Sequence, residues 1–567
     1  LTTRSPARLG ALLEHAVRRL RRSAMLRRLR ATRLGALLAW RMIAWRARLE
    51  GYGAARQARL AARRSLYPAV PEPGLCSFLT TVWNTDPAYL EVLAASLFGQ
   101  DGDPAFEWVL LDNGSSDART RAALAGLAKH PAVRLERVEH NLGIIGGMRR
   151  CLERATGRYV LPLDSDDRLE PDCLRVLAWH IAQADYPALL YTDEDKLFGD
   201  VHCQPYFKPD WDPVLFVNVA YVAHLCALDR QRALTLGVYG DRTYEGCHDW
   251  DSFLRFWQGG DRPVHVPEVL YGWRMHPGST SGDIRAKDFI YASQRALLAR
   301  FVASRVAPER YDIELNRFFP GTPNWHIRRL PVAPRPIATI VLGDPAGPAV
   351  ARWRRDTSYP SQRWHAVASD TPVEALLTIA RAALTEGALI RLLWDQVEPV
   401  APSNDAGVLW EAVGLVELFP DTAMIGGRIV DPRHRIRSAG GYFGYGRCCD
   451  GPDAGRGLDE PGYQAQLWQQ HSVSAVSSAL AVLAPGLLIA TIETHRGLAL
   501  SLPYLGAWCG AQARRAGQRV VYSPYLIGRS AADWDALVDE AERAVFRLRH
   551  GDLMPDAALP SARLSQV

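Results

Sequence analysis

From Cys76 onward, apolar runs of strand length alternate with runs of helical character, and that alternation leaves few folds open. SFLTTVW (77–83), EWVLLD (107–112), VRLERV (133–138) and YVLPLD (159–164) read as strands, with helices expected near Tyr89–Leu97, near Thr120–Ala128 and after Gly143. Strand and helix in turn predict an α/β domain around a mainly parallel sheet. Proline-rich stretches bracket it, PAVPEPG (68–74) before and RRLPVAPRP (328–336) after.

Past the second bracket the alternation restarts as a copy of itself. FEWVLLD (106–112) aligns with WHAVASD (364–370), GRYVLPLDSD (157–166) with GALIRLLWDQ (387–396), and DWDSFLRFWQGG (249–260) with AWCGAQARRAGQ (507–518). Matches in one order indicate duplication, and 567 residues at 48% hydrophobic content exceed what one core accommodates. Two domains of one kind are expected, at 75–325 and 335–530. An Arg-rich helical segment (1–70) precedes them and a helix and tail (531–567) follow.

In open α/β sheets ligands bind at the carboxyl ends of the strands, and polar residues gather there: Asn84, then Asp112 to Ser116, then Asn141 to Gly143, then Asp164-Ser165-Asp166-Asp167. A helix cap needs one aspartate rather than three. Clustered carboxylates repel, and a hard divalent cation, Mn²⁺ or Mg²⁺, is the simplest compensation. A second acidic group, His248-Asp249-Trp250-Asp251, opens a helix, where either aspartate also suits a cap.

Seven motifs in order, TTVWNT, LLDNGSSD, NLGIIGGMRR, LPLDSDD, LYTDEDK, CHDWDSFLRF and LYGWRMHPGSTS, resemble the family 2 glycosyltransferases, which have the GT-A fold. The resemblance runs from residue 75 to residue 305. It implies two tandem GT-A-like (nucleotide-diphospho-sugar transferase) domains and inverting, metal-dependent transfer of a hexosyl or deoxyhexosyl group from a nucleotide-diphosphate sugar. By the same resemblance Asn84 and Asp112 contact the nucleotide, and Asn141 and Gly143 shape its pocket. Asp164 and Asp166 form the D-x-D that holds metal, ribose and diphosphate, with His276 as a further metal ligand. Asp167 is left to cap the next helix. Asp193, Glu194 and Asp195 reach sugar hydroxyls of donor or acceptor, Asp249 is the general base, and Trp250 offers a flat face to a sugar ring. For Trp250, and for the nearby Gly146 and Gly147, close packing is the other reading.

The second copy keeps the frame and loses the chemistry. Trp394 and Gln396 stand where Asp164 and Asp166 stand in the first, and Ala507 stands where Asp249 does. It reads as a degenerate domain that binds glycan, assists assembly or supports its neighbour. A non-catalytic scaffold of a polysaccharide assembly complex is the alternative for the whole chain. Nucleotidyl transfer is disfavoured, since TTVWNTDP lacks the Gly-rich basic loop that chemistry uses.

Residues 1–64 carry seventeen arginines against Glu14 and Glu50, although the whole chain is only +6. Apolar residues such as Leu9, Leu13, Val17 and Leu20 recur at helical spacing, giving a basic amphipathic pattern suited to an anionic membrane surface. A solvated helical hairpin is the alternative, and nucleic acid is not an expected partner. With the resemblance, this suggests a glycan or lipid-linked acceptor and bacterial-type surface polysaccharide synthesis. The uncharged stretch 472–492 has Pro485 and Gly486 at its centre and reads as a buried strand, turn and helix rather than a span. Nine cysteines with no C-x-x-C pair suit a reducing cytoplasmic setting, peripheral on the inner membrane face. The chain starts on Leu1 rather than Met, compatible with a longer product.

Overall fold

The computed structural model describes residue 42 and residues 51–68, 72, 74–276, 288–319, 322–355, 359–400 and 405–554. Most of the Arg-rich segment, and with it the expected membrane contact, lies outside the described residues. No helix among the described residues is long and apolar enough to cross a membrane.

The first sheet grows from β1 (Cys76–Val82), β2 (Glu107–Asn113), β3 (Val133–Val138) and β4 (Tyr159–Pro162). All four pair in parallel in the order β3-β2-β1-β4. β1, β2 and β4 are covered on both faces and read as largely apolar runs, whereas the edge strand β3 alternates apolar and charged residues. The connecting helices start where the sequence supplies a cap. Asp86 accepts from Ala88 N ahead of Pro87–Phe98, and Asp117 accepts from Arg119 N ahead of Ala118–Leu127.

The sheet then turns mixed. β5 (Arg168–Leu169), β6 (Leu189–Phe198), β7 (Val201–Tyr206), β8 (Cys226–Asp229) and β9 (Val264–Arg274) complete it in the order β4-β8-β6-β9-β5, with β7 on β6. β8 runs antiparallel to both β4 and β6, while β6 and β9 are parallel.

A two-stranded ribbon, β10 (Tyr311–Leu315) with β11 (Trp325–Arg329), precedes the second large sheet. That sheet contains β12 (Ile337–Leu342), β13 (Gln362–Val367), β14 (Leu389–Trp394), β15 (Glu398–Pro399), β16 (Thr422–Val430), β17 (Ile436–Ser438), β18 (His471–Val473), β19 (Leu480–Leu483) and β20 (Arg519–Arg529). Its order is β13-β12-β14-β19-β16-β20-β15, with β17 on β16 and β18 on β20. Strand for strand this repeats β2-β1-β4-β8-β6-β9-β5 with β7 on β6. Among the described residues the second sheet has no counterpart of β3, and it adds β18. The stretch 472–492 takes the expected form, strand β19 followed by the helix Pro485–Thr494, both largely buried.

The division between the two compact units differs from the proline-rich bracket. One unit takes the described residues within Leu1–Lys208 and Val222–Phe289, the other takes Pro209–Tyr221 and those within Ile290–Arg563. The ribbon that the bracket assigns to the first domain is held by second-unit side chains: Trp325 Nε1 donates to Gln294 Oε1 (2.8 Å), His326 Nε2 meets Glu411 (2.9 Å), and Arg329 pairs with Glu417 (2.8 Å). Segment 209–221 is held in the same way, as Ser472 donates to Asp212 through its N–H and hydroxyl.

Candidate active site

Because β1, β2 and β4 are parallel, their carboxyl ends open on one edge of the first sheet, and the acidic loop 163–167 leaves there. The two-residue strand β5 then pairs antiparallel with β9, setting Arg168 opposite Gly272 and Leu169 opposite Tyr271. That pairing brings the loop to the end of β9, 104 residues away in sequence. Tyr271 Oη donates to Asp167 Oδ2 (2.5 Å), Arg274 N donates to Asp167 Oδ1 (2.7 Å), and His276 Nε2 meets Asp166 Oδ2 (2.7 Å). Arg274 Nε donates to Asp166 O, and its guanidinium lies over Tyr89.

The expected cap role of Asp167 is thereby corrected. Its carboxylate is buried and both oxygens serve β9, while the next helix, Cys173–Gln183, begins after Asp172. Burial, with Asp164 and Asp166 alongside, pushes the Asp167 carboxyl up to about 8. Asp164 is raised as well, by loss of solvent from the protein around it, against the pull of His224 and with Asp166 and Asp249 adding.

Asp164, Asp166 and Asp167 each place an oxygen within 4.8 Å of the others, and no second group of three metal-competent side chains occurs among the described residues. The residues fit a hard cation: two carboxylates remain accessible, Asp166 has an imidazole at hand, and the carboxylates repel one another. Asp167 is committed to Tyr271 and Arg274, which leaves Asp164, Asp166 and His276 to hold it.

Asp249 sits in the first turn of the helix His248–Gln258, after Cys247, and its Oδ1 accepts from Trp250 N (2.8 Å). It lies within electrostatic reach of Asp164. The sugar-stacking expectation for Trp250 is corrected, since the ring is 1% exposed and offers no face. Asp251 is also buried and pairs with Arg255 one turn on.

The acidic run on β6 divides between the two readings. Asp193 accepts from Lys208 N and pairs with His265, and Asp195 pairs with His202 and with Tyr52 Oη, all buried contacts. Neither is placed to bind a sugar, which corrects that expectation for both. Glu194 points elsewhere. Its Oε2 accepts from His224 N (2.8 Å), His224 Nδ1 (3.0 Å) and Lys208 Nζ (3.1 Å). Burial alone would raise the Glu194 carboxyl, but Lys208 and His224 outweigh it and hold it well below the usual range. Desolvation alone would lower the partly exposed His224, yet Glu194, Asp164 and Asp167 raise it.

On the nucleotide side, Asp112 is buried at the end of β2 and its Oδ1 accepts from Ser115 N (2.8 Å), with Arg137 3.6 Å from Oδ2. Asn84 is left-handed (φ 52°) and its amide oxygen accepts from the N–H groups of Ser116 and Asp117. Asn141 Oδ1 accepts from Gly143 N and from Asn113 Nδ2. Gly143 has φ +77°, a conformation that favours glycine, and a Cβ there would press on Glu245. A Cβ on Gly147 would meet Thr81 at 2.7 Å, the close helix packing anticipated as its other reading. These residues line the same sheet edge as Asp164, but as placed they chiefly hold the loops in shape.

Sequence reasoning missed His224, Lys208, Tyr271 and Glu245. Glu245 accepts from Ile144 N and Ile145 N at the start of the helix Gly143–Arg154. Each becomes visible only through a contact with a residue far along the chain.

In the second unit, Trp394 is 4% exposed and packs against Trp534. Asp395 accepts from Asp344 N (2.8 Å) and so holds a loop. Ala507 and Cys509 are buried, and Trp508 donates to Glu542 (2.8 Å).

The first sheet thus gathers carboxylates beyond its strand ends, with a further carboxylate at a helix start. Residues 77–209 match the family model described as Glycosyl transferase family 2. The chain is 28% identical over 502 residues to the uncharacterized protein y4gI of Sinorhizobium fredii (strain NBRC 101917 / NGR234), covering 82% of this chain and 54% of that one. It is 27% identical over 394 residues to the O-antigen biosynthesis protein RfbC of Myxococcus xanthus, covering 67% of this chain and 29% of the relative. The chain thus spans about half the length of the first relative and under a third of the second. A crystal structure of S. aureus TarS 1-349 in complex with UDP-GlcNAc aligns at 18% identity and a TM-score of 0.34, over 41% of this chain and 68% of that one.

Proposed function

We propose that the chain is an inverting, divalent-metal-dependent glycosyltransferase that moves a sugar from a nucleotide-diphosphate donor to a glycan or lipid-linked acceptor in surface polysaccharide synthesis. The observation that carries this reading is the trio Asp164, Asp166 and Asp167 with Asp249 within electrostatic reach. The name of the Myxococcus relative, an O-antigen biosynthesis protein, supports the polysaccharide assignment.

Asp164, Asp166 and His276 would hold Mn²⁺ or Mg²⁺, which when bound neutralises the charge of a departing diphosphate. Asp249 takes the proton from the acceptor hydroxyl on one face of the sugar, the acceptor oxygen bonds to the anomeric carbon, and the carbon–oxygen bond to the diphosphate breaks on the opposite face. One such step inverts the anomeric configuration. Trp250 N fixes Asp249 Oδ1, which leaves Oδ2 for the proton.

The second unit is proposed as a degenerate GT-A-like domain on the strength of the shared strand order and the loss of Asp164, Asp166 and Asp249. Attraction of residues 1–64 to an anionic membrane remains a proposal from composition. It is tested by sedimentation with anionic liposomes, where deletion of 1–64 should abolish a salt-sensitive association.

A nucleotide-sugar screen in Mn²⁺, repeated with Asp249→Asn and Asp166→Ala, tests the reaction. Each substitution should lower turnover by about 10²-fold or more. Turnover that survives both but falls on Asp395→Ala would overturn the assignment of the chemistry to the first unit.

A further inference from the structure

The chain leaves the first unit after Lys208 and returns at Val222, and the residues on either side of that excursion converge on Glu194. Lys208 is fully buried. Its ammonium donates to Glu194 and to the carbonyls of Val222 and Ala223, so its donors are used in fixing the returning strand. His224 follows at once, and both its backbone N–H and its Nδ1 donate to Glu194 Oε2. An acceptor at Nδ1 places a proton there and sets the ring orientation. Tyr271 stacks on the ring at 5.4 Å and 3°, and Trp273 packs at 4.2 Å. One edge of the imidazole is left, Nε2, which has no partner among the described residues on a side chain 23% exposed.

That edge belongs to a ring stacked on Tyr271, whose hydroxyl donates to Asp167 in the acidic loop. Around the acidic loop His276 Nε2 meets Asp166 Oδ2, and Arg274 donates through Nε to Asp166 O and through its backbone N–H to Asp167, its Nη2 remaining without a hydrogen-bond partner among the described residues. We infer that His224 is a further donor-binding residue, its Nε2–H donating to the diphosphate of the nucleotide sugar, with Glu194 and Lys208 as the positioning residues that hold the ring. This rests on the glycosyltransferase reading above and adds a protein-borne donor to the diphosphate. An ionised Glu194 behind Nδ1 favours the imidazolium, whose hydrogen bond to a phosphate oxygen is charge-assisted. It strengthens as the carbon–oxygen bond breaks and charge gathers on the leaving group.

The test is binding. Calorimetry in Mn²⁺ with UDP, GDP, CDP, ADP and dTDP identifies the nucleoside diphosphate the wild-type chain binds best, and its monophosphate is the comparison. His224→Asn keeps an N–H near the Nδ1 position and loses Nε2, whereas His224→Gln carries an N–H toward the Nε2 position. His224→Asn should weaken diphosphate binding about tenfold or more while monophosphate affinity changes less than about threefold. His224→Gln should recover most of the loss. Glu194→Gln, which releases the ring without removing it, gives an independent reading and should show the same selective loss. Equal loss for mono- and diphosphate, unchanged diphosphate binding, or a change confined to acceptor KM overturns the inference. A wild-type chain that binds none of the five nucleotides overturns the glycosyltransferase reading as well, which separates the two failures.

Discussion

Arg63 lies on the helix Tyr52–Leu66 and is 3% exposed. Its Nε and Nη2 donate to the two oxygens of Asp172 at 2.9 and 2.8 Å, and its Nη1 donates to Val269 O at 2.8 Å. Glu268 and Glu170 stand 3.5 and 3.7 Å away, each with its own closer partner, Arg59 and Arg56. Removing one member of a buried pair leaves an uncompensated charge, ordinarily a loss of about 3–5 kcal/mol. In Arg63→Met both glutamates keep an arginine, and Asp172 retains Arg175 at 3.5 Å. The expected loss is therefore at the lower end, about 3 kcal/mol. Burial raises the Asp172 carboxyl and Arg63 opposes it, so without Arg63 the group is raised further. A raised carboxylate costs stability while ionised and ceases to once protonated, so the deficit should be largest at pH 7 and smaller at pH 5. Urea unfolding at both pH values, with hydrogen exchange over residues 52–66, reads this. The double variant Arg63→Met/Asp172→Leu, which removes the orphaned charge, should return to within about 1 kcal/mol of wild type. A deficit below about 1 kcal/mol at pH 7, or one that does not shrink at pH 5, would refute the argument from burial.

Trp250→Ala should cost about 3–5 kcal/mol in chemical unfolding, the loss of a buried aromatic, rather than act only on KM. His180 is lowered to about 4 by burial, so its folded form stays neutral while the unfolded chain protonates near pH 6.5. Stability attributable to it is present above pH 6.5 and is lost as pH falls toward 4, and His180→Asn should show a shallower acid limb in thermal melts between those values. Gly427→Ala would place a Cβ 1.9 Å from Leu526 O, so it should break the β16–β20 pairing and lower the melting temperature more than Gly486→Ala, which meets open space. Asp395→Ala should leave Mn²⁺ affinity and turnover unchanged, measured by calorimetry and in the transferase assay, because Asp395 serves the backbone of Asp344.

Periodicity revealed the strands, since β1, β2 and β4 carry the apolar runs of a sheet covered on both faces and β3 alternates as an edge strand does. Pairing of distant elements was invisible to it. Asp167 looked like a cap because its local context, Leu-Glu-Pro-Asp, is that of a helix start. Its partners Tyr271 and Arg274 arrive only through the β5–β9 ladder. Asp193 and Asp195 looked available because three acidic residues in a row suggest solvent or ligand, yet His265, His202 and Tyr52 compensate two of them from elsewhere in the chain. Trp250 next to Asp249 looked like part of the same site, but one residue along a helix turns about 100° and carries the ring into the core. The division into compact units differs from the proline-marked bracket because the prolines at 331, 334 and 336 lie inside the second unit, whose first elements are upstream of them.

The duplication separates what the fold requires from what the chemistry requires. The strand that ends in Asp164 and the strand that ends in Trp394 occupy equivalent places in sheets of the same order. In the second, the space is filled by an indole packed on Trp534 and the neighbouring carboxylate holds a loop. An apolar filling at this sheet edge is therefore compatible with the fold. The first unit instead keeps two raised carboxyls beside Asp166, an arrangement that loses stability without a cation. Were the acidic loop only structural, Asp164→Ala/Asp166→Ala should destabilise the first unit in EDTA and leave nucleotide binding intact. A gain in stability in EDTA accompanied by loss of nucleoside diphosphate binding in Mn²⁺ is the expected result, and it places the cost of the charge in function.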